Sequence, residues 1–319
     1  SSFFIHAMLV AHFIRGAAYP IGGASRIAET VLPVIERSGG EIVTNAEVAE
    51  IIVEGGDAVG VRLVNGHELR APVIISNAGA INTFERLVPS DAAKAAGYAK
   101  MAEQLGSSVA HLCLYVGLKG SNDELRLEKT NHWVYPSYRH EENFARFKED
   151  LNAPFPLVYL SFPSAKDPDF SRRHPGHSTI EALTLGPYDK FKAWENTSWK
   201  KRGAEYDELK ASLSERLLEV VHQHAPATRG HVEIAELSTP LSTRNFSAHP
   251  HGEIYGLTHT PARYEQRWLR PRTPIQGLFL TGADVVSAGV MAAMMGGMIC
   301  SSAVLNGNVL GQVLKHQAQ

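Results

Sequence analysis

The chain has 319 residues, a mass of 34.8 kDa and a formal net charge of −2 at pH 7. At ~150 residues per domain, this length implies about two domains with enough chain to bury a core unaided by metal or disulfides. A hydrophobic fraction of 44% excludes a disordered chain, the near-neutral charge balance offers nothing basic to nucleic acid or anionic lipid, and Cys113 and Cys300, isolated from each other, exclude a disulfide framework.

Residues 3–14 (FFIHAMLVAHFI) are almost wholly apolar. They lack the basic leader and cleavage site of a signal peptide and fall short of the ~20 residues that span a bilayer, so they read as a buried helix whose preceding chain is missing. With no transmembrane segment expected elsewhere, the protein reads as cytoplasmic or peripheral to a membrane. Tyr19-Pro20-Ile21-Gly22-Gly23 is a turn leading into a helix over 24–38, whose buried stripe is Ile27, Val31 and Ile35. Pro33 is expected to kink it and Gly39-Gly40 to stop it.

Three strand-like runs follow. Residues 46–54 and 58–64 flank the Gly55-Gly56-Asp57 turn, and Asn65-Gly66 signals a hairpin into the third run, 68–76. Val73-Ile74-Ile75, apolar on both faces, reads as a strand of a parallel, helix-covered sheet, with the small residues Ser76-Asn77-Ala78-Gly79 at its carboxyl end, where such folds bind ligands. Residues 81–270 differ in texture: they hold every tryptophan and the best helix, 203–224, with Tyr206, Leu209, Leu213, Leu217 and Val220 on one face. The first texture returns from Gly277 with the strand Leu278-Phe279-Leu280, the turn Thr281-Gly282-Ala283-Asp284 and a helix over 288–305. The expected architecture is a discontinuous α/β domain with an inserted α+β domain.

No GxGxxG, GxxxxGK[ST], GxSxG or HExxH occurs, which argues against a self-contained Rossmann domain, a P-loop NTPase, an α/β-hydrolase and a zincin. In the strand–turn–helix unit, Gly282 would let a bulky ligand approach, and Asp284 could accept from a ribose- or ribityl-type hydroxyl. With Ser287 as N-cap, the N–H groups of Ala288, Gly289, Val290 and Met291 would point outward and favour the electron-rich edge of a reduced flavin. A capped core helix with a solvated Asp284 is the bland alternative. The histidine pairs His222/His224, His249/His251 and His6/His12 have no completing ligands nearby, so no metal site is expected. Tyr188–Arg202 interleaves aromatics with lysines, as an interfacial anchor or, more simply, a half-buried aromatic surface helix. Both cysteines read as core packing.

These residues carry a resemblance. Tyr19–Gly23, GGEIVTNAEVAEI at 39–51, GVRLVNGHE at 60–68, VIISNAG at 73–79 and GLFLTGAD from 277 are similar to stretches of the phytoene desaturase/carotenoid isomerase group of flavoproteins. Thr130–Tyr135, SFPSAKDP at 161–168, Ser238–Leu241 and CSSAVL at 300–305 bring the chain nearest to the retinol saturases (all-trans-retinol reductases) within that group. The resemblance runs through essentially all the residues. It implies a glutathione-reductase/amine-oxidase-like FAD-binding domain formed by 19–80 and 272–319, and a substrate domain formed by the helix in 1–18 and by 81–271. Members of the group open with a strand, GxGxxG and helix for the ADP half of FAD. This sequence contains no such stretch, so the FAD-binding domain that the resemblance implies is incomplete within it.

The resemblance further implies FAD contacts at Val48, at Asn77, Ala78 and Gly79, at Gly282 and Asp284, and at Ala288, Gly289, Val290 and Met291, with Pro20, Gly22 and Gly23 near the isoalloxazine and the substrate mouth. It implies hydride exchange between flavin and a double bond of a polyene or isoprenoid lipid, as saturase, desaturase or isomerase, with NAD(P)H a candidate electron donor and peripheral membrane contact a candidate property. Saturation needs a proton as well, and Tyr255 and His259 are the candidate donors. The competing expectation is a non-catalytic lipid- or prenyl-binding escort, or an inactive fragment.

Overall fold

The computed structural model describes residues 3–14, 16–98 and 104–316, without the side chains of His12 and His316. Among them the principal elements, in chain order, are helices α1 (Phe3–Ile14) and α2 (Ser25–Arg37), and strands β1 (Val48–Glu54), β2 (Asp57–Leu63), β3 (Glu68–Arg70) and β4 (Ile74–Ser76). Next come β5 (His111–Lys119), β6 (His132–Val134), β7 (Val158–Ser161), β8 (His177–Leu185), α3 (Ala204–His224) and β9 (Val232–Ser238). The chain closes with α4 (Pro240–Ser247), α5 (Pro261–Tyr264), β10 (Leu278–Leu280), α6 (Val290–Val304) and α7 (Val309–His316).

Two compact units form. One comprises residues 1–12, 43–109 and 248–319, the other residues 13–42 and 110–247. The sequence boundaries at 18, 80 and 271 do not coincide with these, because the segments 81–109 and 248–271 pack on the first unit through Phe84, Tyr98, Leu257 and Leu269.

In the first unit, β1, β2 and β3 make an antiparallel meander. Its first turn is Gly55-Gly56, both at positive φ as a two-residue hairpin of the primed type requires, and its second contains Asn65-Gly66. The third strand run divides in two. Pro72, with no N–H to give a ladder, separates β3, which pairs with β2, from β4, which pairs in parallel with β10. The core gathers Ile51, Ala58, Val88, Ile275 and Leu278 around Phe84, stacked on Tyr98 at 3.9 Å, with Trp268 edge-on to Tyr98 at 5.4 Å.

The second unit is a five-stranded antiparallel sheet in the order β6-β7-β8-β5-β9. Leu112, Leu114, Val116 and Leu118 of β5 alternate inward with Ile180 and Ala182 of β8, and the long helix α3 covers them with Leu213, Leu217 and Val221. Burying an apolar side chain of this size is worth ~1.5–3 kcal/mol, so this face dominates the unit's stability.

Three burial expectations are corrected. Helix α1 is helical but exposed, Phe3 and Ile14 above all, although an all-apolar helix needs cover on every side; Tyr264 stands edge-on to Phe4 at 5.6 Å. The stripe of α2 is amphipathic as expected and Pro33 lies inside the helix, yet Ile27 and Val31 stay exposed and only Ile35 is half-buried. Ile75 of β4 is 50% exposed, so the parallel pair is covered on one face among the described residues. The segment 188–202 holds two short 3₁₀ turns where a helix was the simpler expectation, with Trp194 packed on Tyr206 and Trp199 on Phe246. Cys113 and Cys300 are buried and free, and burial pushes the Cys113 thiol up to about 12.

Candidate functional site

In the first unit, the carboxyl ends of β4 and β10 open into two loops, 76–80 and 281–289, and a third loop, 249–260, closes over them. Asp284, buried, ties the three together. Its Oδ2 accepts from the Ala80 N–H at 2.7 Å and its Oδ1 from the Leu257 N–H at 2.8 Å. Gly256, at φ +64°, lies so close to Oδ1 that a Cβ there would overlap it. Gly282, at φ +86°, faces the Asn77 side chain, and Gly296 of α6 sits over it, where a Cβ would come within 2.7 Å of the Gly282 carbonyl oxygen. The Asp284 carboxylate therefore works as an internal brace between loops, and the space beside Gly282 is filled by Asn77 and α6.

Beneath this brace lies Arg263, 1% exposed. Nη1 donates to the Leu257 carbonyl at 2.7 Å and contacts His259 Nε2 at 3.1 Å, while Nη2 donates to the carbonyls of Ala283 and Asp284 at 2.7 and 3.2 Å. A buried guanidinium satisfied by carbonyls holds their loops in register. His259 Nε2 also accepts from the Ala288 N–H at 2.9 Å. A backbone N–H can only donate, so Nε2 carries the lone pair and the ring proton sits on Nδ1. Burial and the Arg263 charge hold the imidazole down at about 4. His259 is therefore neutral at pH 7 and its Nε2 is an acceptor, which argues against it as the proton donor. Tyr255 is 43% exposed, its backbone anchored by the Ser108 hydroxyl at 3.0 Å and its ring 6.5 Å from that of His259.

The last helix boundary also moves. Gly289, at φ +94°, takes the N-cap position of α6, and Ser287 is buried beside the Tyr264 hydroxyl. Ala288 spends its N–H on His259, whereas the N–H groups of Val290, Met291 and Ala292 meet no acceptor among the described residues. Val290 and Met291 are exposed beside them, so the positive end of a 15-residue helix opens on an apolar surface. Val48 begins β1, opposite Leu63. Of the histidine pairs, His249 pairs with the buried Glu253 and His251 with Ser107, while His12 lies outside the described side chains.

The second unit holds another braced turn. Asp167, buried, accepts from the Gly22 N–H at 2.9 Å and the Asp169 N–H at 3.0 Å, and pairs with Arg173. Burial alone would raise the Asp167 carboxyl. The Gly22 and Asp169 N–H groups and Arg173 outweigh it, leaving the pKa below the ordinary value. Pro20, Gly22 and Gly23 are thus held by a residue of the SAKDP stretch. Arg263, Asp167 and Arg173 carry no sequence signal of their own as site residues beyond the four-residue spacing of Arg263 from His259 and the place of Asp167 in SFPSAKDP.

No family model matches the chain. It is 35% identical over 320 residues to the all-trans-retinol 13,14-reductase of Macaca fascicularis, covering 97% of this chain and 52% of that one. It is 30% identical over 281 residues to the phytoene desaturase (neurosporene-forming) of Cereibacter sphaeroides, covering 84% of this chain and 50% of that one. The chain thus spans about half the length of the curated relatives it matches. Among solved structures, an oxidoreductase from Methanosarcina mazei aligns with a TM-score of 0.57 at 19% identity, over 88% of this chain and 54% of that one, and shows a shared fold. The homologues are those that the sequence stretches indicated. No described helix is long and apolar enough to cross a membrane.

Proposed function

We propose that the chain is part of an FAD-dependent oxidoreductase acting on carbon–carbon double bonds of an apolar polyene, retinoid or carotenoid in type. The observation that carries this reading is the start of α6: three unpaired N–H groups, at Val290, Met291 and Ala292, beyond the carboxyl ends of the parallel strands β4 and β10. An electron-rich, flat ring edge suits that position, since a helix N-terminus stabilises negative charge there by ~0.3–1 kcal/mol, and more when water is excluded. When bound, FAD supplies the hydride transfer.

The chain's own residues bind and orient. In this reading Asn77, Ala78 and Gly79 form the wall along the dinucleotide, with Gly282 packed behind Asn77, Val48 passes beside it, and Gly289, Val290 and Met291 face the ring. Asp284, Arg263, His259 and, through its spent N–H, Ala288 hold those loops rather than touching the cofactor. Pro20, Gly22 and Gly23 shape the substrate mouth as a turn stiffened by Asp167. Tyr255 is the proton source, with its phenol accessible, and NAD(P)H is the expected reductant.

The test is the visible spectrum of the full native protein before and after FAD addition and dialysis, followed by turnover with all-trans-retinol. A retained, protein-shifted flavin spectrum and polyene-dependent reoxidation of the reduced flavin are expected. A protein that holds polyene but no flavin would overturn the redox reading in favour of a carrier.

A further inference from the structure

The face of the second unit's sheet opposite α3 carries a polar row beside an apolar one. Directly paired residues share a face, so Ser161, Glu181 and Tyr115 of β7, β8 and β5 form one row, and Trp133, Tyr159, Leu183 and Cys113 form another, about 7 Å along the strands. Lys166, in the turn after β7, lays its ammonium over the polar row. Nζ donates to the Ser161 hydroxyl at 2.8 Å and to the Asn131 amide oxygen, and stands 6.0 Å from the ring centroid of Tyr19.

Two hydrogen-bonding valences are left open. An ammonium has three N–H groups, and the third of Lys166 meets no acceptor among the described residues. Glu181 receives no hydrogen bond from any described residue and feels Lys166 only as a nearby charge. Burial bears on both: it pushes the Glu181 carboxyl up and the Lys166 ammonium down. A half-buried donor and a half-buried acceptor that do not reach each other are both satisfied by one group that accepts from the first and donates to the second.

We infer that Lys166 and Glu181 form a subsite for the hydroxyl end of a polyene alcohol, with the apolar row Trp133–Tyr159–Leu183 carrying the chain. A hydroxyl accepts from Lys166 Nζ and donates to the Glu181 carboxylate. A carboxylate end would meet the repulsion of Glu181, an amine end that of Lys166, and a hydrocarbon end would leave both charges unpaired. The site thus favours an alcohol over a hydrocarbon substrate, and it rests on the polyene reading given above.

The test measures binding of all-trans-retinol and of its methyl ether to the full native protein by retinoid fluorescence, which needs no turnover. Wild type should favour the alcohol by about ten- to a hundredfold, the worth of a hydrogen bond to a charged group. Glu181→Leu should erase that preference while leaving affinity for the ether unchanged, which also shows that the variant is folded, whereas Lys166→Met should weaken both ligands, since either oxygen accepts from Nζ. Glu181→Gln, which keeps an acceptor and the shape, should retain part of the preference. An alcohol preference that survives in Glu181→Leu overturns the subsite, as do affinities for both ligands unchanged in Lys166→Met and wild type binding both ligands equally. Wild type binding neither ligand would overturn the polyene reading itself, and the subsite with it.

Discussion

Each unit uses one buried aspartate to hold together segments far apart in sequence, and the two do so with different chemistry. Asp284 accepts two backbone N–H groups from other loops and makes no direct ion pair; its charge is offset by dipoles and, at one remove, by Arg263 bound to carbonyls. Asp167 accepts two N–H groups as well but adds a guanidinium, Arg173, which is one-third exposed. The brace made with backbone N–H groups is costly to break and weakly sensitive to salt, since donors orphaned in the interior lose water and gain nothing. The ionic brace is partly screened and tied to acid titration.

The largest expected effect separates them. Asp284→Ala leaves the Ala80 and Leu257 N–H groups without acceptors, which should lower stability by about 2–6 kcal/mol in urea unfolding, at roughly 1–3 kcal/mol per orphaned donor. A loss under 1 kcal/mol would show that water replaces the carboxylate and that the brace is not dry. Gly256→Ala should follow at about 1–3 kcal/mol, from a positive φ and overlap with the Asp284 oxygen. An unchanged midpoint would mean that the 249–260 loop moves freely.

Asp167→Asn sharpens the contrast. It keeps an acceptor for Gly22 but loses the charge for Arg173, so about 1–2 kcal/mol is expected near pH 7, shrinking in high salt. Because the native pKa lies below the ordinary ~3.9, Asp167 stabilises the protein above that value and loses its contribution as pH falls through the native pKa. Acid unfolding of the variant should be correspondingly flatter, and a curve parallel to wild type would remove Asp167 as the cause.

The smallest effect belongs to His249. The hydrogen bond and charge of Glu253 raise its pKa. It should stabilise the first unit fully below ~6.5 and lose that contribution as pH rises through the raised native value. His249→Gln should erase this slope, at a cost of about 1 kcal/mol at pH 6. His259, held at about 4, should leave no inflection between pH 5 and 9 in the activity profile, whereas Tyr255→Phe should lower turnover by about a hundredfold. Wild-type turnover in Tyr255→Phe would remove the phenol as proton source.

Local patterning determined what local physics decides. The Gly55-Gly56 and Asn65-Gly66 turns, the parallel strand at 74–76, the strand at 278–280 and the buried stripe of α3 were all legible, since each rests on a period, a positive φ or a run length within a few residues. The stretches shared with retinol reductases and phytoene desaturases were legible too, because they are contiguous. Only the tertiary structure could decide the rest. Whether Ile27, Val31 and Ile75 are covered depends on neighbours distant in sequence, and their periodicity reports an apolar face but not what meets it. That Gly289 rather than Ser287 caps α6, and that His259 Nε2 is a hydrogen-bond acceptor, is set by Ala288 and Arg263 meeting a ring four to twenty-nine residues away. The two aspartates look alike in sequence, each after a short run of small or polar residues. Gly22, 145 residues from Asp167, and Ala80, 204 residues from Asp284, each give a backbone N–H, and only Asp167 adds a guanidinium, from Arg173 six residues on, because hydrogen-bond partners are chosen by the fold.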